Sequence, residues 1–350
     1  MAKRKYTFID LFAGCGGLSL GFEMVGFRNM LAIDNWEDAL KTYTYNRKDA
    51  NVLCADLMSI APQKIKQKYS ISDIDVIIGG PPCQGFSVAG KRIIEDDRNK
   101  LYKAFVGFVE CFRPKAFVME NVPNILSMGN GIVKDSIIKD FEELGYKVSV
   151  QVLTASDYGV PQNRRRAVFV GLANGEKFDF PRPFEGEKIS SYEALCDLTE
   201  GSVVDGSPYQ TEPICDFQRY ARKNSSGIYN HEITIHNEKT KKIIAMVPDG
   251  GNYKDLPVGL QQTRKVHIAW TRLNSKRPSI TIDTGHRHHF HYKWNRIPTV
   301  RECARIQSFP DNFKFIGIKT SQLKQVGNAV PPLLAEAIAK SIIDVLKTTR

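Results

Sequence analysis

The chain has 350 residues, is 42% hydrophobic and carries a formal net charge of +11. That length suits one large domain plus a smaller one, and that apolar content excludes a disordered chain. No apolar run approaches the roughly 18 residues of a membrane span. The seven cysteines are scattered without a Cys-x-x-Cys pair, which excludes a disulfide framework. The basic start, Met1 to Lys5, runs straight into a strand-like stretch without the apolar region of a signal peptide, so a cytoplasmic protein is expected.

Tyr6 to Phe12 reads as the first strand and Gly16 to Val25 as a helix, with Leu18, Leu20, Phe22 and Val25 apolar. Met30 to Ile33 is the second strand, Trp36 to Tyr45 the second helix and Val52 to Ala55 a short third strand. Val76-Ile77-Ile78 is the fourth strand, and Leu101 to Cys111 is helical. Ala116 to Met119 is the fifth strand, Val133 to Leu144 a helix, and Val148 to Leu153 and Ala167 to Val170 complete the set. This alternation predicts an α/β fold, a doubly wound, mostly parallel sheet with helices on both faces. From about Phe178 prolines and glycines break the pattern, and a second, smaller domain begins. Periodicity returns at Thr299 to Gln307 and at Leu333 to Leu346.

The charge is uneven. Between Arg219 and Arg301, 16 Lys and Arg stand against 5 Asp and Glu, which accounts for the whole excess; all seven histidines lie between His231 and His291. Such a segment predicts a polyanionic partner.

The chemistry gathers at the carboxyl ends of the strands, where open α/β sheets bind ligands. Asp10 to Gly17 is a strand-to-helix turn in which Gly14, Gly16 and Gly17 let a ligand approach the backbone. The third glycine of the dinucleotide fingerprint is replaced by Ser19, which disfavours a pyrophosphate and leaves an adenosine without phosphates. Asp34, 20 residues after Gly14, suits two ribose hydroxyls. Asp56 either reaches an adenine amino group or caps the following helix. Gly79-Gly80-Pro81-Pro82-Cys83-Gln84-Gly85-Phe86-Ser87 follows the fourth strand and displays a thiol at its end. Glu120 follows four apolar residues, where desolvation raises the pKa of a carboxyl. Arg164-Arg165-Arg166 can grip phosphate or carboxylate.

With these motifs in order, the sequence resembles the cytosine-C5 DNA methyltransferases. Phe12-Ala13-Gly14-Cys15-Gly16-Gly17, Pro81-Pro82-Cys83-Gln84, Glu120-Asn121-Val122 and Gln162-x-Arg164-x-Arg166 match the family's catalytic-domain motifs. Arg296 to Pro310 and Gln325 to Pro332 resemble its late motifs. Only 178 to 278 lacks a quotable pattern, where the family carries its variable target-recognition region.

The resemblance implies a Rossmann-like S-adenosylmethionine-binding catalytic domain over 1–177. It implies a basic target-recognition domain over 178–295, and late motifs with a closing helix over 296–350 that pack back on the first. The methyl donor would be S-adenosylmethionine, its pocket lined by Phe12, Ala13, Gly14, Gly16, Gly17, Asp34, Asp56, Pro82, Leu101, Asn328 and Val330. Cys83 would attack C6 of a flipped cytosine, with Arg166 favouring the thiolate. Glu120 would act at N3 and the amino group, Arg164 would hold the O2 side, and Asn121 would support the loop. Gly85 to Lys100 would close over the base, mobile without DNA and hinged at Gly85 and Gly90. Gln84 and Ser87 would approach the flipped nucleotide, and Lys91 and Arg92 would hold phosphates. Arg287 and His289, in the histidine cluster 286–291, are expected to contact DNA; no metal site is expected, because a second ligand cluster is missing.

The expected protein is a monomeric enzyme acting on double-stranded DNA, with or without a separate cognate restriction endonuclease. Two alternatives stay open: a transfer RNA cytosine-C5 methyltransferase and a catalytically silent DNA-binding relative.

Overall fold

The computed structural model describes residues 5–82, 100–261, 270–282 and 289–348. Two compact units emerge. The first is Met1–Thr154, Arg165–Pro183 and Leu334–Arg350; the second is Ala155–Arg164 and Phe184–Leu333. These bounds differ from the expected 177/178 and 295/296, because the chain leaves the first unit between two neighbouring strands and again after them.

The first unit contains, in order, β1 (Thr7–Leu11), α1 (Gly17–Met24), β2 (Arg28–Asp34), α2 (Glu37–Tyr45), β3 (Val52–Cys54) and α3 (Pro62–Lys68). Then come β4 (Val76–Gly79), α4 (Lys100–Phe112), β5 (Ala116–Asn121), α5 (Ile132–Glu143), β6 (Lys147–Thr154) and β7 (Arg165–Leu172). They build a seven-stranded sheet ordered β3-β2-β1-β4-β5-β7-β6. The sheet is parallel except for β7, which runs against both β5 and β6. The strands read as continuous apolar runs because Val76, Ile77, Ile78, Phe117, Val118 and Met119 are all fully buried. Aromatic rings fix the helices to one face. Phe117 of β5 stacks on Phe141 of α5 at 4.0 Å, and Phe105 of α4 meets each ring edge-on at 6.1 Å. Helix α3 was not expected; Ile65 is its one buried residue, so it carries no apolar stripe to read.

The second unit is built from short pieces: α6 (Ser191–Leu195), α7 (Asp216–Arg222), α8 (Glu238–Ala245), α9 (Val258–Gln261), β8 (Thr271–Arg272), β9 (His289–Phe290), α10 (Val300–Ile306) and α11 (Lys319–Asn328). Helix α12 (Pro332–Thr348) starts there and returns the chain to the first unit, where the Tyr6 hydroxyl donates to the Leu346 carbonyl at 3.0 Å. Capping boxes start α6 (Ser190 with Glu193) and α10 (Thr299 with Glu302).

Much of the second unit's interior is ionic. The Arg305 guanidinium, fully buried, reaches Asp197 and Asp311, each at 2.6 Å. Arg296 forks onto Glu302 at 2.7 and 2.8 Å. Arg272 donates to the carbonyls of Val247 and His291 at 2.7 and 3.0 Å. Arg272, Arg296 and Arg301 are therefore buried, so part of the basic excess expected to face a polyanion is used inside the fold. His289 and His291 are buried as well, rather than displayed. His291 stacks on Trp294 at 4.2 Å, and burial pushes its pKa down to about 4. Burial alone would raise the Glu302 carboxyl, but His291 and Arg296 hold it at about 2.

Among the described residues no helix is long and apolar enough to cross a membrane. Nor do they bring together three His, Cys, Asp or Glu side chains that could hold a metal ion.

Candidate active site

The site begins where β1 ends. Phe12 takes a left-handed conformation (φ 59°), an outlier for a bulky side chain of the kind that clusters at ligand sites. The turn is then pinned to β2: the Ala13 N–H donates to the Ile33 carbonyl at 3.1 Å. Asp34, at the end of β2, accepts from the Gly14 N–H through one carboxylate oxygen and from the Trp36 N–H through the other, each at 2.8 Å. Burial pushes its pKa up, and these N–H groups pull it back. Both oxygens are thus aimed, and each keeps acceptor capacity for a hydroxyl. A Cβ added at Gly14 would meet nothing within 4 Å, so open space lies against this backbone where a ligand can approach. The residues fit a nucleoside-type cofactor.

Asp56 is exposed after β3 and caps the next turn, accepting from the Met58 N–H at 3.0 Å. Leu101 is half-buried in α4. Asn328 and Val330 belong to the second unit, Asn328 exposed at the end of α11 and Val330 buried.

At the next strand ends stand the catalytic candidates. Gly79 closes β4 beside Met119 of β5, and a Cβ there would fall 2.2 Å from the Leu11 carbonyl oxygen, so only glycine fits. One step further, the Glu120 Oε2 atom lies just over Gly80, 3.1 Å from where a Cβ would stand. The other carboxylate oxygen forms an ion pair with Arg166, 2.6 Å from its Nε, with both side chains 13% exposed. The reversal of β7 makes this pair: it brings the start of one strand to the edge where β4 and β5 end. Asn121 Nδ2 donates to the Pro81 carbonyl at 3.0 Å and its Oδ1 accepts from the Val122 N–H at 2.8 Å, tying the start of the cysteine loop to β5. Pro82 is exposed. Cys83, Gln84, Ser87, Lys91, Arg92 and Arg287 lie outside the described residues, as does the expected loop closure.

Gln162-x-Arg164-x-Arg166 is divided between the units. Within the second, Arg164 is 2% exposed and donates to the carbonyls of Gly327 and Ile282 at 3.0 and 3.3 Å. Gln162 donates to Gln307 at 2.8 Å, and Gln307 in turn holds the carbonyls of Val326 and Ala329 at 2.8 and 3.3 Å. Two glutamines and an arginine thus brace the stretch that presents Asn328 and Val330.

A family model described as C-5 cytosine-specific DNA methylase matches residues 6–344. The chain belongs to this family. This DNA cytosine-C5 methyltransferase is 40% identical to the Type II methyltransferase M1.HphI of Haemophilus parahaemolyticus, over 96% of the chain and 86% of that protein. It is also 40% identical to the Type II methyltransferase M.DdeI of Desulfomicrobium norvegicum, over 95% of the chain and 88% of that protein. Among solved structures it is similar to one described as a prophage-encoded DNA modification methyltransferase from Escherichia coli. There the TM-score is 0.83 at 27% identity, with 98% of this chain and all of that one covered. The methyl donor of this methyltransferase is S-adenosylmethionine, as in the family. Its substrate is DNA, which sets the transfer RNA and silent readings aside.

Sequence reasoning missed Arg47. Its partners, Glu23 and the Gly16 carbonyl, stand 24 and 31 residues away, and no local pattern points to them.

Proposed function

We propose that this methyltransferase modifies one cytosine in a short duplex sequence, as a Type II modification enzyme, and that Cys83 is its nucleophile. The carrying observation is the Glu120–Arg166 pair at 2.6 Å, set against Gly80 where the cysteine loop begins. C5 of cytosine is a weak nucleophile. Addition of the Cys83 thiolate to C6 moves electron density onto C5, and Glu120 at N3 absorbs the charge that builds in the ring. S-adenosylmethionine, when bound, supplies the electrophilic methyl group. Loss of the C5 proton and elimination of Cys83 then restore the aromatic ring.

Arg166 orients Glu120 and favours the thiolate; Asn121 fixes the carbonyl of Pro81 so that the loop leaves β4 in one direction. Arg164 is a brace for the stretch that carries Asn328 and Val330, since its donors reach backbone carbonyls. Cytosine C6 is unreachable in a duplex, so the base is flipped, at a cost of roughly a few kcal/mol. The enzyme acts as a monomer and apart from any cognate endonuclease.

Bisulfite sequencing of unmethylated duplex DNA, with the native protein, Cys83→Ala and Glu120→Gln, tests this. Protection confined to one recurring sequence is expected, absent with Cys83→Ala and slowed about 100-fold or more with Glu120→Gln, the scale of a lost transition-state hydrogen bond. Protection that survives Cys83→Ala would refute the assignment.

A further inference from the structure

We infer that Arg47 is a positioning residue for the cofactor turn, gripping it from behind at Gly16. Arg47 follows the end of α2 and is mostly buried, with its side chain 10% exposed. Its Nε donates to both carboxylate oxygens of Glu23 on α1, at 2.8 and 2.7 Å, and its Nη2 donates to the Gly16 carbonyl at 2.9 Å. That carbonyl also accepts the Leu20 N–H at 2.9 Å, the first hydrogen bond of α1. Arg47 therefore shares the atom on which the turn becomes a helix.

Three further contacts keep the guanidinium in place. It lies over the Tyr43 ring, 4.2 Å from the centroid. The Tyr43 hydroxyl meets Ser19 Oγ at 2.8 Å, and Ser19 donates to Asp10 at 2.5 Å. Gly16 itself has φ 89°, and a Cβ there would fall 2.7 Å from both Arg47 Nη1 and the Tyr43 ring. The back of the turn is thus packed solid by α2, while Gly14 on the same turn faces open space. A turn closed behind and open in front holds its backbone N–H groups preset for a ligand, which saves ordering cost on binding. The charge of Arg47 is spent on Glu23 and on a backbone carbonyl, so its effect passes through the turn.

The test uses the full chain with Arg47→Met, which keeps the stem against Tyr43 and removes every donor, and with Glu23→Gln, which loosens the anchor. Calorimetric titration with S-adenosylmethionine and with S-adenosylhomocysteine is expected to show about tenfold weaker binding for Arg47→Met, the scale of a charged hydrogen bond. Glu23→Gln is expected to weaken binding about threefold, within the range of a partly exposed ion pair. KM for S-adenosylmethionine should rise with kcat at saturation retained, and duplex affinity by fluorescence anisotropy without cofactor should stay native. Native cofactor affinity in Arg47→Met, or an equal loss of duplex binding, overturns the inference. If Arg47→Met does not fold, unchanged affinity in Glu23→Gln overturns it alone.

Discussion

The cofactor turn of the first unit and the arginine interior of the second spend polar groups in opposite ways. At the turn, Asp34 is held by N–H groups of Gly14 and Trp36, and Gly14 leaves open space for a partner. In the second unit Arg296, Arg301 and Arg305 are held by chain segments far away. Arg305 reaches back 108 residues to Asp197, and Arg296 reaches the Glu200 carbonyl across 96. The first arrangement is poised for something to arrive; the second is already satisfied. Net charge counts both alike, so a basic segment advertises a polyanion partner only to the extent that its arginines are not already taken.

The largest expected effect breaks the second region. Arg305→Met leaves Asp197 and Asp311 buried without their shared cation, and denaturant unfolding should show a loss of about 3–5 kcal/mol. A loss below about 1 kcal/mol would mean the arginine interior is not structural. Next comes Gly16→Ala in the first region. A left-handed alanine costs roughly 1–2 kcal/mol before the contact with Arg47 and Tyr43 is counted, and calorimetry should show at least tenfold weaker S-adenosylmethionine binding. Native binding by that variant would make the closed back of the turn irrelevant.

The smallest effects sharpen the contrast through pH. Asp10 is fully buried beneath the turn, and desolvation pushes its pKa from 3.8 to about 7. The folded state then keeps a proton that the unfolded chain has released, so this residue's contribution to stability falls as pH rises from about 4 to about 7. The native Tm should lose ground to that of Asp10→Asn across that window. His291 runs the other way. Its pKa drops from 6.5 to about 4 on burial, so the unfolded chain takes up the proton first and stability falls as pH drops from 6.5 to about 4. The native Tm should lose ground to that of His291→Asn in that direction. Slopes of one sign for both pairs would erase the distinction.

The sheet was legible because β4, β5 and β7 are buried on both faces and so are written as apolar runs. Glu120 and Asp34 were legible because each interrupts such a run at its end. The residues that hold them were not. Arg164 and Arg166 look like one motif, yet one donates to carbonyls of the second unit and the other pairs with the Glu120 carboxylate of the first. Nothing within two residues of sequence distinguishes them, because the division depends on where β7 starts. Helix α6 could have been found from Ser190 and Glu193 three residues apart, a capping signal independent of periodicity. Arg47 carried no comparable mark.

The chain crosses between its two units at Thr154, Arg164, Pro183 and Leu333, so neither unit is a continuous length of polypeptide. No single cut releases either one. On the proposal that the second unit recognises the target, grafting a relative's specificity onto this enzyme takes an internal cassette with two junctions, over 184–333, and the ten residues Ala155–Arg164 stay with the host. Those host residues include Gln162 and Arg164, which grip Gln307 and Gly327 inside the cassette. A donor that keeps those two positions should accept the graft; one that changes them must bring its own ten-residue arm, making four splices instead of two.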